Sequence, residues 1–166
     1  MSFDLPGVEH GSDSEILFKA VGFVVVQWGI DEQHLDLIVA AIFHRFGGHP
    51  LLNRRPTNLS QKIELLRQCF AEFNELSQFQ TECNALLARF ASASRRRNDI
   101  VHGAIADLSV KDGAFIFSKI DVIPRDHHSI RSVFFDGSGW PTFRNELLSL
   151  GRESLSLAQR VWDIYR

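Results

Sequence analysis

The length, composition and charge of the chain already exclude several classes of protein. Its 166 residues suit one ordinary domain, and a composition with 45% apolar and 23% charged residues excludes wholesale disorder and a disulfide scaffold. Eighteen basic residues against twenty acidic ones give a formal net charge of -2. This balance excludes a protein that binds nucleic acid over its whole surface, but it leaves room for one local basic site.

The basic residues are mostly arginine, with 14 Arg against 4 Lys. Arginine presents a planar fork of donors that suits phosphates and carboxylates, so the excess is compatible with an anion site. The codon bias of a GC-rich genome accounts for the same excess without any site.

The chain shows no pattern for export or for membrane insertion. Its N-terminal segment is acidic and lacks the basic region and apolar run of a signal peptide, and no stretch has the roughly 18 apolar residues that span a bilayer. Cys69 and Cys83 both fall within apolar helical patterns, which predicts two buried free thiols. We therefore expect a soluble cytoplasmic protein with no membrane partner.

The first predicted helix is long. Ser12 and Glu15 have the spacing of a capping box, and apolar residues recur at helical intervals from Ile16 to Phe46. Two glycines and a proline then end the pattern. The helix is predicted to bend near Gly29, and the alternative for the apolar run at residues 23–26 is a strand.

Two further helices are predicted from apolar stripes with alternating spacings of four and three residues. The second helix has its stripe at Leu59, Ile63, Leu66, Phe70 and Phe73, and the third has its stripe at Phe79, Cys83, Leu86, Phe90 and Ala93. Extending the third stripe reaches Arg97 and then Ile100. A charged side chain therefore stands where the pattern asks for an apolar one, whereas its neighbours Arg95 and Arg96 are expected to face solvent.

The periodicity changes after Gly103. Residues 105–110 and 114–118 flank an Asp-Gly turn in the manner of a hairpin, and residues 129–135 predict a third strand. A helical stripe returns from Trp140 and continues to about Tyr165. The predicted fold class is mainly α, an antiparallel four-helix up-and-down bundle with a small antiparallel β-meander inserted before the last helix. We expect a single domain over 1–166, with a flexible tail at 1–11 and a strand-rich insert at 104–140.

One segment carries residues suited to chemistry. Arg97 is followed by Asn98, Asp99 and, five positions on, His102. Burying a guanidinium without partners is costly, so Arg97 should pair with an acid or line a cavity that receives an anion. Asp99 shares a helix face with His102, where it would orient the imidazole and raise its pKa.

Arg97 and His102 differ by about 140° around an ideal helix, so they do not share a face. They can meet if the helix unwinds at Gly103 or if the long arginine reaches around. The other solution is a two-fold dimer in which two copies of the motif face one another.

The segment from Arg97 through Asn98 to His102 resembles the Arg-x(4–6)-His signature of the HEPN domain superfamily, in which a polar residue, often Asn, follows the Arg. The resemblance implies an all-α bundle that forms a homodimer and brings two motifs into one cleft. In catalytic members that cleft is a metal-independent endoribonuclease site that leaves a 2′,3′-cyclic phosphate, often in toxin–antitoxin or phage-defence systems. It thus implies RNA as substrate and an antitoxin or other protein as a possible partner.

The residue types suit RNA cleavage by the 2′-hydroxyl. That reaction needs a base for the hydroxyl proton, an acid for the departing 5′-oxygen and positive charge on the phosphate. Two copies of His102 and two of Arg97 would supply these catalytic roles, with Asn98 and Asp99 supporting them and Arg95 and Arg96 binding RNA. The chemistry calls for no metal or other cofactor.

The resemblance has limits. Toxins of this type often carry a Tyr two residues after the His, and Ala104 stands at that place. Regulation by modification of such a Tyr is therefore not expected. The strand-rich insert also lies outside the minimal four-helix pattern, so the resemblance covers about two thirds of the chain.

Two other interpretations of the motif stay open. Arg97 can be a buried structural arginine paired with Glu64 or another acid, with His102 as a favourable cation at the helix end. Alternatively, the chain is a non-catalytic module of the same type that binds a nucleotide or protein through the cleft. The remaining histidines lack the spacing of a zinc site, so no metal is expected, and Trp28, Trp140 and Trp162 are assigned to core or interface packing.

Overall fold

The computed structural model describes residues 13–45, 54–109, 114–122, 128–135 and 139–164. This part of the chain is mainly helical, which confirms the predicted class, and its main helices pack antiparallel. The helices are α1 (Asp13–Arg45), α2 (Leu59–Glu72), α3 (Asn74–Ser77), α4 (Gln80–His102) and α5 (Gly139–Ile164). None of these helices is long and apolar enough to cross a membrane. The predicted tail at 1–11 lies outside the described residues.

Three strands lie between α4 and α5. They are β1 (Ala104–Ser109), β2 (Ala114–Val122) and β3 (His128–Phe135), paired antiparallel in the order β1-β2-β3. The register shifts between Ile105 and Asp107 in β1, whereas β2 and β3 pair without interruption. The predicted Asp-Gly turn lies outside the described residues.

The described residues fall into two compact units. Unit 1 contains those within 1–26 and 95–145, and unit 2 contains those within 27–94 and 146–166. The first turns of α1, the end of α4, the three strands and the start of α5 belong to unit 1. Most of the helical core belongs to unit 2.

The core of unit 2 follows the predicted apolar stripes. Buried side chains recur along each helix at intervals of three and four residues, because that spacing keeps them on one face. They include Trp28, Leu35, Ile38 and Ile42 of α1, Ile63, Leu66 and Phe70 of α2, Leu86 and Phe90 of α4, and Leu147, Leu150, Leu157 and Val161 of α5. The ring of Trp28 meets that of Phe90 edge-on at 5.8 Å. Cys69 and Cys83 are buried free thiols as predicted, and burial raises the pKa of each to about 12.

Two details of the helices differ from the sequence predictions. Residues 23–26 are helical within the continuous α1, so the strand alternative is wrong. The second helix ends at Glu72 rather than including Phe73, whose backbone is extended (φ -91°, ψ 118°) and leads into the short helix α3. The apolar spacing continues through Phe73 and therefore predicted a helix there. Spacing alone is misleading at this residue, because a half-buried aromatic side chain suits a turn between helices as well as a helix face. At the other end, the Asn58 side chain caps α2 by accepting from the Gln61 backbone N–H at 2.9 Å.

Candidate functional site

The end of α4 carries the candidate motif. The stripe residues before it are buried, and Arg97 occupies the next stripe position with its side chain half-buried. Ile100, one turn on, is only 5% exposed. The predicted break of the apolar stripe by a charged residue is thus present in the folded chain, at the part of α4 that belongs to unit 1.

Arg97 is held by its neighbour and retains an unused donor. One terminal nitrogen, Nη1, donates to the Asn98 Oδ1 at 2.9 Å. The Arg97 Nε is buried and has no hydrogen-bond partner among the residues that the structure describes. An unsatisfied donor on a half-buried cation is unfavourable, so this arginine is costly where it stands unless an anion joins it.

His102 lies at the last position of α4 and its side chain is exposed. The Gly103 N–H still donates to the Asp99 carbonyl at 3.0 Å, so the helical hydrogen-bond pattern extends past His102. Unwinding at Gly103 therefore does not turn His102 toward Arg97. The structure brings Arg97 and Asn98 together and leaves His102 about 140° away around the helix. Asp99 is buried at 6% exposure.

The flanking arginines divide between solvent and an aromatic surface. Arg95 is exposed, as expected. Arg96 is half-buried instead, with its Cζ 4.9 Å from the centre of the Phe143 ring, so its expected exposure to solvent is wrong. The reason is a cation–π contact with α5 that spacing along α4 could not reveal.

A second arginine–aromatic contact in unit 1 was not foreseen. Arg144 is exposed and lies over the Phe23 ring, with Cζ 5.4 Å from its centre. Phe23 in turn packs edge-on against Trp140 at 6.1 Å between ring centres. Unit 1 thus combines exposed guanidinium groups with half-buried aromatic rings. The sequence gives no signal for the contact, because its members come from two distant helices.

A buried carboxylate in unit 2 was also missed. Asp31 has no exposed surface, and its Oδ1 accepts from the Gln27 amide at 2.8 Å. Its Oδ2 has no partner among the described residues. Burial raises the pKa of Asp31 to about 6, partly offset by the bond from Gln27. The signal was available, because Asp31 follows Trp28 and precedes Leu35 at stripe spacing, as Arg97 follows Ala93.

Asp31 lies where α1 approaches α5 closely within unit 2. A Cβ added to Gly151 would stand 2.6 Å from the Asp31 Oδ1 and 2.9 Å from the Gln27 Nε2, so any larger residue would require these two side-chain ends to shift. One turn along α1, the His34 Nδ1 lies 3.2 Å from the hydroxyl of Ser154, which donates to the Gly151 carbonyl at 3.1 Å. Because that hydroxyl has one proton, the His34 Nδ1 must be the donor in their bond.

The remaining candidates are the possible metal ligands, Glu64 and Trp162. No group of three His, Cys, Asp or Glu side chains that could hold a metal ion occurs in the described ranges. Glu64, the acid suggested as a partner of Arg97, is an exposed residue of unit 2. The Trp162 indole donates to the Leu37 carbonyl at 3.2 Å, in keeping with a packing role.

No family model, curated protein or solved structure matches this chain. The class that the structure defines is therefore a mainly α-helical protein with antiparallel helices, and the candidate site is described by its own geometry.

Proposed function

We propose that this chain is a HEPN-like, metal-independent endoribonuclease that cleaves RNA by attack of the 2′-hydroxyl at a site shared by two chains. The proposal includes the finer architecture, a four-helix up-and-down bundle with a β-meander inserted before its last helix. It assigns Arg97 and His102 as catalytic residues, Asn98 and Asp99 as supporting residues, and Arg95 and Arg96 as RNA contacts.

The observation that carries the proposal is the state of Arg97. Its guanidinium is half-buried, its Nε is unsatisfied and its observed side-chain partner is an amide oxygen. A guanidinium in this state contributes little to the stability of the fold. Such a guanidinium is suited to binding an anion, because no carboxylate of the residues that the structure describes neutralises it. Asn98 limits the freedom of the fork, which is the preorganisation that stabilises charge in a transition state. Phosphate is one of the two anions, with carboxylate, whose oxygens a planar donor fork fits.

The position of His102 supports a shared site. Its exposed imidazole ends α4 on a different side from Arg97. In a dimer with a two-fold axis at the motif, the His102 of each chain would lie beside the Arg97 of the other. A homodimer would thus bring together the two residues that one chain keeps apart. Such a site contains two imidazoles and two guanidiniums.

The reaction then needs no further group. One imidazole takes the proton of the 2′-hydroxyl, the 2′-oxygen attacks phosphorus, and the bond from phosphorus to the 5′-oxygen breaks. The second imidazole gives a proton to that leaving oxygen, and the arginines stabilise the charge of the pentacovalent phosphate. The products are a 2′,3′-cyclic phosphate and a 5′-hydroxyl.

The surroundings in unit 1 suit single-stranded RNA. Arg95 and Arg144 are exposed cations, and the rings of Phe23 and Trp140 are half-exposed beside Arg144. Positive charge that follows the backbone and aromatic rings on which bases stack is the usual composition of a surface for single strands. A net charge of -2 is compatible with a positive surface confined to one region.

The proposal extends to a cellular role. A ribonuclease of this type would act in the cytoplasm as a toxin or phage-defence effector, restrained by an antitoxin or other protein partner. The second candidate function, a non-catalytic dimer that binds a nucleotide or protein at the same cleft, is favoured by the same unsatisfied Arg97. The two candidate functions differ in whether the chain cleaves RNA.

The test is cleavage of single-stranded RNA in EDTA by the wild type, by Arg97→Ala and by His102→Ala. Two matched controls, Arg152→Ala and His44→Ala, remove an exposed arginine and an exposed histidine outside the motif. We expect the controls to cleave as the wild type does and both motif variants to lose at least about 100-fold in rate, the usual effect of removing a catalytic acid–base or charge-stabilising group. Full activity of a folded, dimeric His102→Ala variant would overturn the proposal. RNA binding without turnover by the wild type would favour the non-catalytic module.

A further inference from the structure

A cavity of about 500 Å³ opens in unit 2 beside the start of α2, and the motif does not use it. Its lining includes Arg54 and Arg55 from the turn before the helix, and Gln61, Glu64 and Gln68 from the helix. We propose that this cavity binds a small organic phosphate carrying a single phosphate group. The inference is independent of the proposed ribonuclease site.

The cations of the cavity are available to a ligand. Arg54 is exposed, and no acidic side chain of the described residues lies within ion-pair distance of it. Arg55 is oriented by its Nη2, which donates to the Asp36 carbonyl at 3.3 Å and lies 3.8 Å from the Asp36 carboxylate. The cavity thus has one freely adaptable arginine and one that is partly fixed.

Asp36 does not cancel the charge of Arg55, because a buried lysine already pairs with it. The Lys62 Nζ lies 3.1 Å from both carboxylate oxygens of Asp36, and the Lys62 side chain is only 6% exposed. The Asp36 carboxylate is 37% exposed and lies closer to Lys62 than to Arg55, so it interacts more strongly with Lys62, whose Nζ also lies 3.9 Å from the Glu32 Oε1. Arg55 keeps much of its attraction for an anion in the cavity.

The other walls suit an organic body attached to the phosphate. Gln61, Glu64 and Gln68 supply amide donors and acceptors and one carboxylate acceptor, and all three are exposed to the cavity mouth. Buried Leu65, 2% exposed, and buried Pro56 give an apolar floor. A cavity of this size with an apolar floor and few polar groups is typical of a small-molecule site.

The charges select a monophosphate. Two guanidinium forks can share the three free oxygens of a phosphate monoester, which offers them more acceptors than the two oxygens of a carboxylate. Glu64 would repel a second phosphate group, which disfavours a polyphosphate or an RNA strand in this cavity. The hydrogen-bonding body is therefore a sugar or a nucleoside with a single phosphate.

The test measures binding to the full chain by calorimetry and thermal shift at low ionic strength. The probes are AMP, ribose 5-phosphate, inorganic phosphate, adenosine and ATP. We expect the two organic monophosphates to bind, inorganic phosphate and ATP to bind more weakly, and adenosine not to bind. If ribose 5-phosphate binds as tightly as AMP, the cavity recognises the sugar phosphate. If AMP binds more tightly, the cavity also recognises the base.

Two variants have opposite expected effects on AMP binding, and a third variant is the control. Arg54→Gln should weaken AMP binding by about fivefold and Glu64→Gln should strengthen it about twofold to threefold, as expected for single charges near a partly exposed ligand. The control Arg152→Gln removes an exposed arginine that does not line the cavity and should change nothing. No binding of either organic monophosphate at millimolar concentration would overturn the proposal. Equal weakening by Arg54→Gln and Arg152→Gln would do the same, because it would show attraction to overall charge rather than to the cavity.

Discussion

Arg97 in unit 1 and Asp31 in unit 2 are two charges that interrupt the apolar stripes of their helices. Each has one buried polar atom without a partner among the described residues, and only these two side chains share that property there. They differ in exposure: Asp31 is completely buried in the middle of α1, whereas Arg97 is half-buried and five residues before the end of α4.

The difference shows how a misfit charge can be tolerated. A carboxyl group can take up a proton and become neutral, and the raised pKa of Asp31 reflects that response to burial. A guanidinium cannot lose its charge at any ordinary pH, so Arg97 must keep it. An arginine near a helix end can meet an anion that arrives from outside the chain, and this is the basis of its proposed role.

The largest expected effect is on the pH dependence of unfolding through Asp31. Because its pKa is raised from the ordinary 3.8 to about 6 in the folded chain, folding favours the protonated form. The contribution of Asp31 to the free energy of unfolding is greatest below about pH 4, falls as the pH rises toward 6 and stays reduced above that. The total change in this contribution is about 3 kcal/mol. Urea unfolding of the wild type and Asp31→Asn from pH 4 to 7.5 measures it.

The wild type and the asparagine variant differ only in the carboxyl group of Asp31. All other ionisable side chains, including His34 and Glu32 on the same helix, are the same in both proteins. The asparagine keeps an oxygen for the Gln27 amide and has no charge to bury. We expect Asp31→Asn to be more stable than the wild type at pH 7.5 and to lose that advantage as the pH falls to 4. A difference between the two proteins that is constant over this range would contradict the raised pKa.

A smaller effect is expected at the glycine that faces Asp31. Gly151→Ala places a Cβ within 2.6 Å of the Asp31 Oδ1 and should lower the free energy of unfolding by about 2 kcal/mol. Gly29→Ala is the matched control, since an added Cβ there meets nothing within 4 Å, and it should gain about 0.5–1 kcal/mol. Chemical denaturation of both variants gives the comparison. Equal effects at the two glycines would show that α1 and α5 do not approach as closely as described.

The smallest expected change in stability is at Arg97. Arg97→Met keeps an extended side chain on the stripe and removes the charge, and replacing a poorly paired buried charge in this way is often neutral. We expect the free energy of unfolding to stay within about 1 kcal/mol of the wild type while RNA cleavage is lost. If the variant instead loses about 3 kcal/mol or more, Arg97 is a structural ion-pair residue, the alternative that the sequence left open.

The sequence predicted those features that follow from local periodicity. The stripes of α2 and α4 placed Phe70 and Phe90 in the core, because three- and four-residue spacing has only one helical interpretation over several turns. The same rule found Arg97 as a misfit. Applied to α1, the rule also identifies Asp31, which stands at stripe spacing between Trp28 and Leu35.

Contacts between distant segments could not be predicted in this way. The stacking of Arg96 on Phe143 and the approach of Gly151 to Asp31 join helices far apart in the sequence. The turn at Phe73 was missed because an aromatic residue at stripe spacing fits a helix and a half-buried turn equally well. The proposed shared site could not be predicted from periodicity either, since a dimer depends on surfaces of two chains that periodicity within one chain does not describe.

The most direct test of the central claim is the chemistry of the RNA ends. Single-stranded RNA is incubated with the purified chain in EDTA, and the fragments are examined by mass spectrometry. Attack by the 2′-hydroxyl predicts fragments with 2′,3′-cyclic phosphate and 5′-hydroxyl ends, and no cut where the 2′-hydroxyl on the 5′ side of the phosphate is replaced by hydrogen. Fragments with 3′-hydroxyl and 5′-phosphate ends, or RNA left intact by a folded dimer, would contradict the account.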